Sequence, residues 1–154
     1  MSLLRAFQPV VYAKLEPERL SLREVRSGRT VDEPPLAAVS HDAKKKVLAV
    51  GEAARLQPGE LVNPFKHPRT LIADFTVAQA VLKGLMKKLF AGRLFAPAPL
   101  LVLHPRVRLE GGFTEIELAA LRELGVGAGA YKVVVWQGRD LADDELLGGD
   151  FKGI

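Results

Sequence analysis

Histidine and cysteine, the side chains that most often bind transition metals, are scarce in this sequence. Its three histidines, His41, His67 and His104, lie far apart, and it has no cysteine. The lack of cysteine excludes disulfides, thiolate metal sites and cysteine nucleophiles. His104 ends a long apolar run, a position more typical of a buried or strand-edge histidine than of a metal ligand. We therefore predict no metal site.

Two carboxylates, Asp74 and Glu117, are weak candidates for catalytic acid–base chemistry. Asp74 immediately precedes an apolar-periodic run, and Glu117 follows Thr114 at the spacing of a helix capping box. Negative charge at the start of a helix is stabilised by the unpaired N–H groups there. Helix capping alone explains both residues, and we favour that structural role over a catalytic one.

A glycine-rich stretch and an acidic stretch could each suggest ligand binding. Residues 125–129 have the small side chains of a phosphate loop, but they follow a predicted helix and precede a predicted strand. This is the reverse of the order in which a helix N-terminus receives an anion, so the stretch is expected to end the helix. Residues 143–145 are all acidic and could hold a cation or a basic partner, although a solvated helix start explains them better.

Basic residues are only slightly in excess. The 154-residue chain has 22 Lys and Arg against 18 Asp and Glu, a formal charge of +4, with no long basic tract. Nucleic-acid binding needs several cations on one face, so we expect none. Lys66, His67 and Arg69 form a short cationic loop beside two prolines. This loop is a candidate contact for a protein partner, and an ordinary solvated loop is the alternative.

Segments that would direct the chain to a membrane are not recognisable. No apolar run approaches the roughly 18 residues that a transmembrane helix needs, and the apolar N-terminus is too short for a signal peptide. Leu3, Leu4 and Phe7 could touch a membrane surface, but interfacial helices normally have more apolar and more basic residues. We predict a cytoplasmic protein and rank peripheral membrane contact below contact with another protein.

The first half of the chain is predicted to be rich in strands. Apolar alternation and turn residues predict five strands, at residues 10–15, 19–25, 30–33, 36–39 and 46–50. Tight turns at Pro17 and Gly28 connect the first three strands, which therefore form an antiparallel meander. A charged turn connects the last two strands into a second hairpin.

The second half alternates helices with strands. The spacing predicts helices at residues 75–90 and 114–124, buried strands at 100–104 and 131–136, and a short helix beginning within 140–145. Strands separated by helices pair in parallel through crossover connections. The size and the order of elements therefore predict one α/β domain with a mixed sheet.

Four phrases of the sequence, in the same order and at similar spacing, resemble the MreB-type family of actin-like rod-shape proteins. They are Glu33-Pro34-Pro35-Leu36-Ala37-Ala38-Val39, Leu48-Ala49-Val50-Gly51, Ile72-Ala73-Asp74-Phe75 and Gly127-Ala128-Gly129-Ala130. The third phrase follows a basic, proline-containing stretch and leads into an amphipathic helix, as in the family. The resemblance extends from about Val10 to Leu147 and covers the subdomain that carries one side of the family's nucleotide cleft.

The resemblance implies an actin-like ATPase (ribonuclease H-like) half-domain, with a mixed sheet that starts as an antiparallel meander and is flanked by helices. It implies a single domain over residues 1–154, with residues 1–9 as an N-terminal extension, 36–63 as a shortened insertion and 140–154 as a C-terminal tail. Because the family's second half is missing, we expect apolar residues of this tail to cover surface that the second half would cover, and its deletion to lower stability.

The family's ATP chemistry depends on a D-x-G-T loop in the first hairpin. There the carboxylate organises the metal ion, and the glycine lets backbone N–H groups approach phosphate. The corresponding place here is Ala13-Lys14-Leu15-Glu16, in which alanine replaces the aspartate, leucine replaces the glycine and the glutamate would repel phosphate. Glu117 lies where the family keeps a water-orienting glutamate, but the family's E-E-P is Gln137-Gly138-Arg139 here. We therefore expect neither ATP nor Mg²⁺ as a cofactor.

Two functions of different classes remain open. The first is a non-catalytic MreB-like interaction module, linked to bacterial cell shape or cytoskeletal assembly, that binds a protein partner or a second copy of itself through an exposed strand edge or apolar patch. The second is a nucleotide-binding or degenerate ATPase subunit completed by a partner chain. We favour the first, because the altered phosphate loop argues against hydrolysis.

Overall fold

A computed structural model describes residues 8–107, 111–149, 151 and 153. It contains a five-stranded mixed sheet, a separate three-stranded sheet and flanking helices. The eight strands are β1 (Val10–Glu16), β2 (Arg19–Glu24), β3 (Thr30–Glu33), β4 (Ala37–Val39), β5 (Val47–Val50), β6 (Glu60–Val62), β7 (Leu100–Pro105) and β8 (Lys132–Val135). The α-helices are α1 (Phe75–Leu89), α2 (Glu115–Gly127) and α3 (Asp143–Gly148).

The larger sheet has the strand order β3-β2-β1-β7-β8. Strands β1, β2 and β3 pair in antiparallel fashion and form the predicted meander. Strand β7 pairs in parallel with both β1 and β8, and α2 connects β7 to β8. The predicted mixed α/β architecture is therefore confirmed.

Helices α1 and α2 begin at side-chain caps. Asp74 Oδ1 accepts a hydrogen bond from the Val77 amide at 3.1 Å. Thr114 and Glu117 form a complete capping box, in which each side chain accepts a hydrogen bond from the backbone N–H of the other residue. These bonds satisfy amides that have no partner within the helix, which fixes where each helix starts.

Residues 36–63 form the smaller sheet, in the order β5-β4-β6, with a 3₁₀ helix at Gly51–Leu56. The predicted pair of strands is present as β4 and β5, whereas the 3₁₀ helix and β6 were not predicted. The sheet packs on α1, where Gly84 faces Val50 so closely that a methyl group on the glycine would overlap with the valine side chain. That these residues are a shortened insertion stays a prediction.

Apolar residues on the two faces of the larger sheet belong to two separate cores. Val11, Ala13 and Leu15 of β1 face the main core, which also contains the apolar sides of α1 and α2. The opposite face carries Val10 and Tyr12, which belong to the second core. The other members of the second core are Val25, Val102, Leu141 and Leu146, with Leu100, Trp136 and Phe151 packed at its edge.

Residues 138–149, called the tail segment below, supply the cover of this second core. Leu141 and Leu146 are 5% and 1% exposed. Phe151 packs its ring edge against Trp136, with ring centroids 6.1 Å apart. The apolar residues of the tail therefore cover one face of the sheet. The N-terminal residues Leu3, Leu4 and Phe7 and the last residue, Ile154, lie outside the described residues.

Two predictions about secondary structure were wrong in detail. Strand β8 was predicted to be buried, but it is an edge strand in which Lys132 is exposed and Val134 is half-buried. Helix α2 was predicted to end by Gly125, but it continues to Gly127, and Gly129 with φ +113° follows its end. Gly125 is required within the helix by packing, because Leu101 and Val133 leave no room for a Cβ atom there. Among the described helices, none is long and apolar enough to span a membrane.

Candidate functional site

The carboxyl ends of β1 and β7 are the place in this fold where a ligand would be expected. In open α/β sheets, ligands bind outside the carboxyl ends of the strands, near the point where the chain direction changes from one side of the sheet to the other. Strand β1 lies at this point, because the chain continues from β1 to β2 on one side and adds β7 on the other side only after α1. Four charged residues meet here: Lys14, Glu16, Arg106 and Asp140.

These charged side chains pair with one another. Lys14 Nζ lies 2.8 Å from Asp140 Oδ2, and Arg106 also forms an ion pair with Asp140. The Arg106 Nε atom lies 3.7 Å from Glu16 Oε1. The hydrogen bond from Lys14, together with the charge of Arg106, holds the pKa of Asp140 below its usual value. The two cations that an anionic ligand would need, Lys14 and Arg106, are thus already paired with Asp140.

Beneath these ion pairs lies a buried pair of polar side chains, Tyr12 and His104. The Tyr12 hydroxyl is 2.7 Å from His104 Nδ1, and the Leu141 amide donates a hydrogen bond to the same hydroxyl at 3.2 Å. His104 also has a hydrogen bond with the Gly138 backbone. Both side chains are almost fully buried, with 4% and 2% exposure.

Burial favours the neutral form of both residues. Desolvation is the largest cause that lowers the pKa of His104, and the neighbouring charge of Arg106 lowers it further. Desolvation likewise raises the pKa of Tyr12. A neutral imidazole accepts the tyrosine proton at Nδ1 and has its own proton at Nε2. The pair is therefore fully hydrogen-bonded without any bound ligand.

The remaining residues of the altered phosphate loop have structural contacts. Ala13 is fully buried and Leu15 is 1% exposed, and both side chains belong to the main core. Their positions in the sheet follow from the alternation of a strand, which points Ala13 and Leu15 to one face and Tyr12 and Lys14 to the other. A phosphate group placed here would have to displace Asp140 from Lys14 and would meet Glu16.

The two weak catalytic candidates are not brought together with this cluster. Asp74 caps α1 and Glu117 caps α2, as described above, and both are at the amino ends of helices on the main-core side of the sheet. Their carboxylates bind backbone amides. A catalytic role for either residue stays a prediction that these contacts do not favour.

The cationic loop lies on the surface. Lys66 Nζ forms an ion pair with Glu18 Oε1 at 2.5 Å, and His67 Nδ1 accepts a hydrogen bond from the Arg69 amide at 3.1 Å. All three cationic side chains are exposed. The proposed contact between this loop and a protein partner stays a prediction.

Two acidic side chains at the start of α3 form ion pairs with arginines. Asp143 forms an ion pair with Arg23 on β2, and Glu145 accepts two hydrogen bonds from Arg139, at 2.8 and 2.6 Å. The Arg139 guanidinium, helped by the Ala142 amide, lowers the pKa of Glu145 to about 2. Within residues 8–107, 111–149, 151 and 153, no group of three or more His, Asp or Glu side chains could hold a metal ion.

Sequence reasoning missed an exposed apolar tip. Leu94 and Phe95, called the apolar tip below, are 92% and 95% exposed in the loop between α1 and β7. The groove beside it is lined by Lys83, Met86, Lys87, Phe90, residues 96–99 and residues 128–129. The sequence did contain a signal for this exposed tip, namely two adjacent apolar residues between Arg93 and a proline-containing stretch. It was missed because the loop has no periodicity.

Comparison with known proteins identifies the family. The model of the MreB/Mbl protein family matches residues 23–143. The cell shape-determining protein MreB of Haemophilus influenzae is 32% identical over 117 residues, which are 70% of this chain and 32% of that protein. The cell shape-determining protein Mbl of Bacillus subtilis is 34% identical over 112 residues, which are 69% of this chain and 31% of that protein. The chain thus spans about a third of the length of these relatives.

Solved structures show the same fold. The crystal structure of MreB5 of Spiroplasma citri bound to ADP matches with a TM-score of 0.63 at 23% identity, over 84% of this chain and 38% of that chain. The structure of the same protein bound to AMPPNP matches with a TM-score of 0.59 at 24% identity. The fold is therefore part of an actin-like domain, as predicted. Together with the family match over residues 23–143, this shows that the chain belongs to the MreB/Mbl family, a family of cell shape-determining proteins.

Proposed function

We propose that this chain is a non-catalytic MreB-like interaction module that works in cell-shape or cytoskeletal assembly in the cytoplasm, without hydrolysing nucleotide. One observation carries the proposal: the place of the family's phosphate loop is filled by core side chains and by ion pairs. Ala13 and Leu15 are buried, while Lys14 is bonded to Asp140. A phosphate-binding loop needs free backbone N–H groups and unpaired cations, and this strand offers neither in this arrangement.

The contacts of Glu117 support the same proposal. Its carboxylate accepts a hydrogen bond from the Thr114 amide at 2.8 Å and another from the Thr114 hydroxyl at 3.2 Å. To orient an attacking water, the Glu117 carboxylate would have to break these two hydrogen bonds or accept the water in addition to them. Its position is explained by the start of α2 alone.

Thermal denaturation with and without Mg-ATP tests this proposal. A nucleotide with a Kd of about 10 µM, supplied at about 1 mM, would stabilise the native state by about 2.7 kcal/mol. For a chain of this size that corresponds to a rise in Tm of roughly 5–10 °C. We expect no shift.

A Tm rise of this size, whether or not it persists in Glu117→Gln, would refute the proposal and favour the alternative, a nucleotide-binding subunit completed by a partner chain. Glutamine keeps the capping box and removes only the charge, so this variant separates the two roles of the residue. The Tm of the variant without nucleotide is the control for its folding.

The apolar tip favours a second function, peripheral contact with a membrane surface. Leu94 and Phe95 are almost fully exposed, and Lys83 and Lys87 line the adjacent groove. Apolar side chains beside cations are typical of segments that dip into the headgroup region of anionic bilayers. This contact would place the module at the membrane and leave its strand edges available to a protein partner or a second copy.

Flotation with vesicles that contain phosphatidylglycerol tests this second function. A buried leucine or phenylalanine contributes roughly 1.5–3 kcal/mol, so replacing both with serine should weaken binding at least about tenfold. Leu56→Ser is the control, because Leu56 is 86% exposed at the end of the 3₁₀ helix, away from the apolar tip. Equal flotation of the double variant and the wild-type protein would contradict the membrane contact.

A further inference from the structure

The tail segment is bound to the sheet by a continuous chain of buried hydrogen bonds. The Leu141 amide donates to the Tyr12 hydroxyl, the hydroxyl bonds to His104 Nδ1, and the imidazole bonds to the Gly138 backbone. Both ends of this chain lie in the tail segment, and its middle lies on β1 and β7. The chain therefore ties the start of the tail segment to two central strands.

Of these bonds, the one between Tyr12 and His104 depends on the protonation state of His104, because the Leu141 amide is always a donor. Because the Leu141 amide donates to the tyrosine oxygen, the tyrosine proton is available for Nδ1. This is compatible only with an unprotonated Nδ1. A proton on Nδ1 would leave the tyrosine hydrogen without an acceptor in a buried place, which destabilises the closed arrangement.

The charges around His104 also oppose its protonation. Lys14 faces it from β1, Arg106 from the end of its own strand and Asp140 from the tail segment. Asp140 and the Gly138 backbone would favour an imidazolium, but Asp140 already forms ion pairs with both cations. On α3, Asp143 is paired with Arg23, and Glu145 is paired with Arg139.

We propose that the hydrogen-bond chain Leu141–Tyr12–His104–Gly138 is an acid-sensitive latch, which holds the tail segment on the sheet at neutral pH and releases it when His104 takes up a proton. Release would uncover the second core, including Val10 and Val102, as an apolar surface on the sheet. This inference concerns regulation of the surface and does not depend on the proposed function.

The expected effect of pH on opening of the latch follows from proton linkage. When the tail segment is released, the imidazole on β7 is open to solvent and has an ordinary pKa near 6.5, whereas in the closed latch it takes up the proton less readily. The equilibrium constant for opening should therefore rise by up to about tenfold for each pH unit below about 6.5, until the closed form is also protonated. Opening should change little above pH 7.

Two measurements report the latch directly. The protection of the Leu141 amide against hydrogen exchange, corrected for the intrinsic pH dependence, follows the bond to Tyr12. Trp136 is the one tryptophan of the sequence, and its Nε1 donates to the Arg139 carbonyl at 2.8 Å, so its fluorescence reports the start of the tail segment. We expect both signals to change between pH 7 and pH 5, while far-UV circular dichroism loses at most the contribution of the six residues of α3.

His104→Asn tests the role of the imidazole, because its Oδ1 keeps an acceptor for Tyr12 without a titrating group. This variant should lose the transition, and His41→Asn, at an exposed histidine, should keep it. If His104→Asn does not fold, Tyr12→Phe serves instead, with Leu141 unprotected at every pH. The proposal is overturned if the transition persists in the substituted protein, or if circular dichroism is lost together with the tail signals in the wild-type protein.

Discussion

The cover that the tail segment gives to the sheet can be tested by one substitution, Leu146→Ala. Leu146 is 1% exposed and lies in the second core. Helix α3, which carries it, has only six residues and would not be stable alone. Its place on the sheet therefore depends on this apolar contact and on the ion pairs of Asp140 and Asp143.

The expected loss is about 2–3 kcal/mol in the free energy of unfolding. Leucine-to-alanine substitutions in cores cost about 2–5 kcal/mol, and the loss is smaller where the surroundings can close the cavity. Helix α3 lies at the periphery and can move towards the sheet, so we take the lower part of that range. At roughly 2–4 °C per kcal/mol, the Tm should fall by about 4–12 °C.

Leu147→Ala is the matched control, because the neighbouring residue is in the same helix but is 42% exposed. It should cost less than about 1 kcal/mol. Urea denaturation gives both values, provided that the slope of unfolding free energy against urea is unchanged. Equal losses for the two variants, or a loss below about 1 kcal/mol for Leu146→Ala, would refute the view that the tail segment is an essential cover.

Three further predictions follow from local contacts. Thr114→Ala should cost about 1 kcal/mol in thermal or urea denaturation, because it removes half of the capping box of α2; an unchanged stability would contradict that role. Gly84→Ala should destabilise the protein, although alanine normally favours a helix, because its methyl group would overlap with Val50, and Val50→Ala in the same chain should restore part of the loss. The low pKa values of Asp140 and Glu145 mean that the native carboxylates resist protonation, so their contribution is present above about pH 4 and should be lost as the pH falls towards 2, in acid denaturation followed by circular dichroism.

Most of the larger sheet could be predicted because its signals are local. Strands β1 to β3 show apolar alternation between tight turns, and α1 and α2 begin at capping residues that the sequence displays. The errors in secondary structure occurred where tertiary packing determines the conformation of a residue. Glycine is typical of a helix end, but Gly125 lies within α2 at a place where a larger residue would overlap with Val133.

The candidate site was less accessible to sequence reasoning. Asp74 and Glu117 were considered as catalytic candidates because they are carboxylates. The structure shows both as helix caps, the role that the sequence favoured. Tyr12 and His104 are separated by 92 positions, and no local pattern relates them. Their neighbour Leu141 is 129 positions from Tyr12 and contributes only a backbone amide. Contacts of this kind depend on the strand register, which sequence patterns do not specify.

The pairing of β1 with β7 has a consequence for synthesis of the chain. Strand β1 is central in the sheet, yet Val10 pairs with Leu100. During translation the meander can form early, but one edge of β1 stays open until β7 has left the ribosome, and the face around Tyr12 stays uncovered until Leu146 follows. Contacts so distant in sequence fold slowly and expose strand edges to aggregation. Production of this protein should therefore depend on how quickly the last third of the nascent chain emerges.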